Sequence, residues 1–205
     1  MLPTKINRMD NWLLKKTTSL RNGLPVLTTK KIRLIEDSII LTLPEKKELL
    51  LMLLGYKFTI ELKFSEKKEK TELLLKLGLP FHVESRIHSK KGKIKWLQVS
   101  ANERIDRFVN KYATSMSSME AGLLYGYPFS AVLAFMDLIP RTDKVSSDNF
   151  YNYWFGMVRS KHLFEMEESY FKNITDKLAG VSPKIYSELQ QYYARKIQSI
   201  SPAKK

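Results

Sequence analysis

The chain has 205 residues, with 35 Lys plus Arg against 21 Asp plus Glu, a formal charge of +14. Hydrophobic residues at 43% supply enough apolar mass for a full core, and eight Gly and eight Pro exclude collagen-like and low-complexity classes. The absence of cysteine excludes disulfides, Cys-ligated zinc, iron–sulfur clusters and thiol nucleophiles.

Residues 1–33 hold eight cations (Lys5, Arg8, Lys15, Lys16, Arg21, Lys30, Lys31 and Arg33) against Asp10 alone. Such a cluster fits a solvated basic surface, a polyanion-binding arm or an organellar targeting segment. It does not fit a secretory signal, because Lys5, Arg8 and Asp10 interrupt any apolar run. The first predicted element is a short helix over Asn11–Leu20, ended by Asn22-Gly23-Leu24-Pro25. Lys31–Leu43 alternates apolar and polar residues around Ile32, Leu34, Ile39 and Leu41, which predicts one or two strands turning at Glu36-Asp37-Ser38.

Thr42 and Glu45 have the spacing of a capping box, with Pro44 in the first turn, so a buried helix runs from there through Leu49–Leu54 to Gly55. Tyr56–Phe64 alternates Tyr56, Phe58, Ile60, Leu62 and Phe64 against Lys57, Thr59, Glu61 and Lys63, a strand with one solvated face. A second helix, capped by Ser65, reaches Leu77 and stops at Gly78-Leu79-Pro80. Strands follow at Phe81–Ile87 and Lys93–Val99. Glu48-Leu49-Leu50-Leu51 before Gly55 and Glu72-Leu73-Leu74-Leu75 before Gly78 form an internal echo 24 residues apart, each leading into a strand.

After residue 100 the period becomes helical. Ser100 and Glu103 have capping-box spacing, and Ile105, Phe108, Val109 and Tyr112 follow on one face. Further helices are predicted at Met119–Tyr125, Pro128–Leu138, Asp148–Arg159, Lys161–Leu178 and Ser182–Ile200. The sixteen uncharged residues Ala121–Met136 fall short of the roughly 20 needed for a membrane span and are broken by Gly126, Pro128 and Ser130, so a buried helical hairpin is expected. The fold class is therefore α+β: a small mixed β-sheet with two helices in the N-terminal half, and an all-helical C-terminal half. Residues 1–30 form a basic arm, 31–100 an α/β subdomain and 101–205 a helical subdomain, the last two able to share one core.

The chain contains no phosphate-binding G-x-x-x-x-G-K-[ST], no G-x-G-x-x-G and no G-x-S-x-G elbow. His82, Glu84, Arg86 and His88 share one face of a strand, but His82 and His88 would stand roughly 20 Å apart, too far to share a metal ion. His162 lies on a charge-paired helix surface beside Glu165. No catalytic residue, metal or cofactor is assigned. Arg86, His88, Lys90, Lys91, Lys93 and Lys95 cluster in ten residues with Trp96 beside them, a pattern suited to nucleic-acid backbone contact. Trp96 has the parity of Ile94 and is expected in the core.

The stretch Gly122-Leu123-Leu124-Tyr125-Gly126-Tyr127-Pro128-Phe129-Ser130-Ala131 reads physically as a helix–turn–helix corner. It resembles a signature, G-x-L-x-G-Y-P-x-C-C, of a group of largely uncharacterised archaeal and bacterial proteins. Gly122, Leu124, Gly126, Tyr127 and Pro128 match it, and Ser130 and Ala131 replace the two cysteines. Val181–Tyr186 is similar to a second segment of that group, and the resemblance implies no established activity.

Three functions follow as expectations. The first is an intracellular, cytoplasmic, non-enzymatic protein that binds RNA or DNA through Lys15, Lys16, Lys30, Lys31, Arg86, Lys90, Lys91, Lys93 and Lys95. The second is a small-molecule binder or enzyme built on Gly122, Gly126, Tyr127, Pro128 and Ser130, with His162 or Glu120 as acid–base group. The third is a protein-interaction module presenting Tyr151, Tyr153, Trp154 and Phe155.

Overall fold

The computed structural model describes residues 23–64, 68–88, 92–112, 114–142 and 160–200. In chain order the described elements are α1 (Thr29–Glu36), α2 (Leu43–Leu53), β1 (Thr59–Lys63), α3 (Glu69–Leu77), β2 (Phe81–His88), β3 (Gly92–Ser100), α4 (Glu103–Tyr112), α5 (Ser118–Leu124), α6 (Phe129–Phe135), α7 (Phe164–Val181) and α8 (Pro183–Ile200). This is an α+β protein with a helical C-terminal half. Its sheet has the order β1-β3-β2, and both pairings are antiparallel, so the sheet is not mixed. The helices predicted at 11–20 and 148–159, the Ser65 cap and the aromatic patch at 151–155 lie outside the described residues.

The strands predicted over Lys31–Leu43 are replaced by α1, which gives the described residues of the N-terminal half three helices instead of two. Thr28 caps it, its hydroxyl oxygen accepting the Lys31 N–H at 3.3 Å. Ile32 and Ile35 sit one helical turn apart, and Ile35 is completely buried. The later part of the apparent alternation pairs with no strand among the described residues; Ile39 is almost fully exposed in the bend after the helix.

The α2 start has the predicted capping box. Glu45 N–H donates to the Thr42 hydroxyl at 3.4 Å, and Thr42 N–H donates to Glu45 Oε2 at 2.9 Å. The other carboxylate oxygen accepts from the Lys63 N–H at 3.0 Å and from buried Lys70 Nζ at 2.8 Å, tying α2 to β1 and α3. Burial would raise the Glu45 pKa, but the bonds from Lys70 and Thr42 outweigh it and hold the carboxyl below its ordinary value. Thr42→Ala removes the cap and should cost about 1 kcal/mol, read as a thermal midpoint lower by about 2–4 °C.

Both halves of the internal echo adopt the same path. Helices α2 and α3 each end at a left-handed glycine, Gly55 (φ +79°) and Gly78 (φ +70°), and each leads into a strand flanking β3. Phe58, Ile60 and Leu62 are buried as the alternation predicts. The opposite face of β1 is solvated only at Lys63: Lys57 and Thr59 are buried, and Tyr125 from the end of α5 donates to Glu61 Oε1 at 2.6 Å.

Ser100 does not cap α4. It is the last residue of β3, still paired with Thr59, and its hydroxyl donates to Asp106 Oδ1 at 3.2 Å. Asn102 takes the capping place, its Oδ1 accepting the Ile105 N–H at 3.0 Å. Ser117 and Glu120 form a capping box for α5, and Ser182 caps α8 through the Ile185 N–H. The short helices α5 and α6 follow one another across the uncharged stretch, but the hairpin is only partly buried: Leu124, Ala131, Val132 and Ala134 are buried, whereas Phe135 is exposed. One buried cluster joins Ile35, Leu50, Leu62 and Leu97 to Ile105, Leu178, Ile185 and Leu189, so the segments 31–100 and 101–205 share a core. Among the described residues no helix is long and apolar enough to cross a membrane.

Candidate nucleic-acid interface

Strand β1 pairs with β3 only from Ser100 to Trp96, whereas β2 pairs with β3 from Val99 to Gly92. Beyond Lys63 the described sheet therefore continues as β2 and β3 alone, a two-stranded ribbon formed by residues 85–88 and 92–95. The sequence span 85–95 holds Arg86, Lys90, Lys91, Lys93 and Lys95 and no acidic residue. Arg86 stands opposite Ile94, Lys93 opposite Ile87, and Lys95 opposite Ser85; Lys90 and Lys91 lie outside the described residues. Lys95 is exposed, with its Nζ 5.3 Å from the centre of the Phe64 ring at the ribbon's root.

Trp96 is not a core residue. The core face of β3 carries Leu97 and Val99, while Trp96 is half-buried on the other face, in register with Lys63 and Glu84. An aromatic ring with open surface thus sits at the base of the basic ribbon.

Lys15 and Lys16 lie outside the described residues. Lys30 and Lys31 belong to α1, and Lys31 reaches Gly78, just before the start of β2. His88, at the other end of β2, is about 23 Å away along an eight-residue strand. Lys30 and Arg33, with Lys76 of α3, border an open groove of about 670 Å³ whose rim also carries Asp37, Glu69 and Glu72. The α1 cations therefore belong to a charge-mixed surface separate from the ribbon.

The Gly122–Val132 corner joins the two halves of the chain. Gly126 has φ +77°, and a Cβ there would run into the Tyr56 carbonyl oxygen. Phe58 N–H donates to the Leu124 carbonyl at 2.9 Å, and the Tyr170 hydroxyl donates to the Gly126 carbonyl at 3.4 Å. Gly122 lies against Val132, which lets α5 and α6 approach closely. Pro128 precedes α6, and the Tyr127 ring centre lies 5.8 Å from Lys57 Nζ. Ser130 donates to Oε1 of buried Glu167 at 2.6 Å, and the same carboxylate accepts the Ser160 N–H at 3.2 and 3.3 Å. His162 is exposed, and the Ser117 backbone and hydroxyl bonds hold the exposed Glu120 carboxyl below its ordinary value. Ser130 and Glu120 are thus engaged within the chain, in packing and capping.

Beneath this joint lies an ionic cluster that sequence spacing did not reveal. Glu48 Oε1 is 3.1 Å from Lys47 Nζ and Glu48 Oε2 is 2.6 Å from Lys57 Nζ. The two lysine side chains are only 6% and 10% exposed. Burial would raise the Glu48 pKa; Lys57 and then Lys47 overcome that and hold it below its ordinary value. Lys47 also donates to the Tyr193 hydroxyl at 3.4 Å, and burial, with Glu48 nearby, pushes that phenol up to about 12.

His82 stands between two carboxylates, with Nδ1 3.1 Å from Asp106 Oδ1 and Nε2 3.4 Å from Glu84 Oε1. The carboxylates address opposite nitrogens of one ring, so the three side chains have no common point for an ion. Among the described residues no group of three or more His, Asp or Glu side chains is placed to hold a metal. Asp106 was not legible as a partner because it comes from α4, 24 residues after His82.

Comparison with protein-family models, with curated proteins and with solved structures gives no match for this chain.

Proposed function

We propose that the protein is a non-enzymatic nucleic-acid-binding protein that grips the phosphate backbone with its β2–β3 ribbon. The observation that carries this reading is the continuation of the ladder past the end of β1, with five cations and no acid across residues 85–95. A two-stranded ribbon is narrow enough to enter a duplex groove, and its cations release condensed counterions without reading bases. Trp96 at the root offers a ring on which an unpaired base can stack. Cations at 1–33 add to the long-range attraction.

Five phosphate contacts predict a log–log salt slope of about −3.5 to −4.5, or a 100- to 500-fold loss of affinity between 50 and 200 mM salt. Neutralising Lys90, Lys91, Lys93 and Lys95 to glutamine should reduce that slope by about 3. Fluorescence anisotropy with short mixed-sequence RNA and DNA measures both quantities. No binding at 50 mM salt would end the proposal, and an unchanged slope in the quadruple variant would remove the ribbon from it.

A further inference from the structure

Strand β2 is an edge strand. One side pairs with β3 without a bulge from Phe81 to His88, and no strand occupies the other side among the described residues. Edges of this length are ordinarily blocked by proline, a bulge, an inward lysine or a covering element, since an open ladder recruits another strand. The β2 sequence Phe-His-Val-Glu-Ser-Arg-Ile-His has no proline, glycine or lysine. Val83 is 49% exposed and Ser85 is exposed, so the side chains in the middle of the strand are not covered by a packed element.

We propose that this edge pairs antiparallel with β2 of a second copy of the chain, across a two-fold axis at Ser85, to form one six-stranded sheet. Such an axis must be perpendicular to the sheet, so residues facing one another across it have the same parity. Centring on Glu84 sets that carboxylate against its own copy, and centring on Arg86 does the same with two guanidinium groups. The Ser85 register avoids both conflicts and overlaps seven residues, 82–88. It places Glu84 opposite Arg86 twice and Val83 opposite Ile87 twice, with only the small Ser85 on the axis. The strand is thus self-complementary in charge and in apolar character. The pairing occupies the outer edge of β2 over residues 82–88, including the 85–88 part of the ribbon, so in a dimer the ribbon would meet nucleic acid by its faces and could not enter a groove as a two-stranded hairpin.

Sedimentation of the full chain should give twice its 23.9 kDa mass at tens of micromolar; a monomer at about 100 μM would overturn the proposal. Glu84→Arg or Arg86→Glu sets like charges together twice and should yield monomers, whereas the double exchange should restore the dimer. Dimeric single variants, or a double exchange that stays monomeric, would reject the register. Because Glu84 also touches His82, a second experiment avoids it: Ser85→Cys in this cysteine-free chain should form a covalent dimer on mild oxidation. Ser187→Cys, exposed on α8, is the control, and equal cross-linking of the two variants counts against pairing at Ser85.

Discussion

Replacing Glu48 by glutamine is expected to lower stability by about 3 kcal/mol, because two buried ammonium groups lose their shared carboxylate. For a chain of this size that is a fall in melting temperature of about 6–12 °C. The geometry leaves little room for compensation, since Lys47 and Lys57 approach opposite oxygens of the carboxylate and are almost wholly out of water. The same pair sets a pH dependence. The folded pKa of Glu48 lies below its reference value of 4.5. The stability it contributes is therefore present above that value and is lost as pH falls through the lower folded value. Melts of the wild type should decline over that acid window, and Glu48→Gln should decline less. A variant with wild-type midpoints at neutral pH would show that the cluster carries no net stability.

Gly126→Ala should cost about 2–4 kcal/mol, through a left-handed backbone that alanine resists and a Cβ driven into the Tyr56 carbonyl. The obstacle is backbone, and it sits where the helical half meets β1, so relaxation would have to part Phe58 from Leu124. Gly122→Ala is the informative comparison. Its Cβ would come within 2.6 Å of Val132 Cγ2, a side-chain atom able to move, and its φ is ordinary. Chemical denaturation should therefore rank Gly126→Ala well above Gly122→Ala. Equal midpoints would mean the corner is not a rigid joint.

The parts of the fold legible in the sequence are those whose cause is local. Thr42, Pro44 and Glu45 start α2, and Gly55 and Gly78 end helices, because caps and left-handed turns are settled within four residues. The α1 helix was hidden by the alternation of Ile32 and Leu34; its cap, Thr28, lies before that window, and only burial of Ile35 shows which period prevails. Ser100 and Glu103 have cap spacing, but β-pairing to Thr59 claims Ser100 first. The β1 face judged solvated is covered by Tyr125, which arrives 64 residues later along the chain. The basic hairpin was visible as composition. Its projection beyond β1 was not, since that depends on where β1 stops pairing. The Lys47–Glu48–Lys57 cluster needs α2, the entry to β1 and Tyr193 of α8 together, and no spacing rule connects them.

The central position of β3 also bears on how the chain matures during synthesis. Neither β1 nor β2 pairs with the other; each pairs only with β3, the last of the three to be made. A chain grown only as far as residue 91 consequently contains no strand pair of this sheet, and among the described residues Ile60 and Leu62 have helices alone to shelter them until then. Once residues 92–100 emerge, the adjacent β2 closes a local hairpin, whereas Thr59 must be gathered from 41 positions upstream of its partner Ser100. Loop closure favours the nearer partner. The β2–β3 ladder is thus the first piece of the sheet able to form on a growing chain, ahead of the β1–β3 ladder.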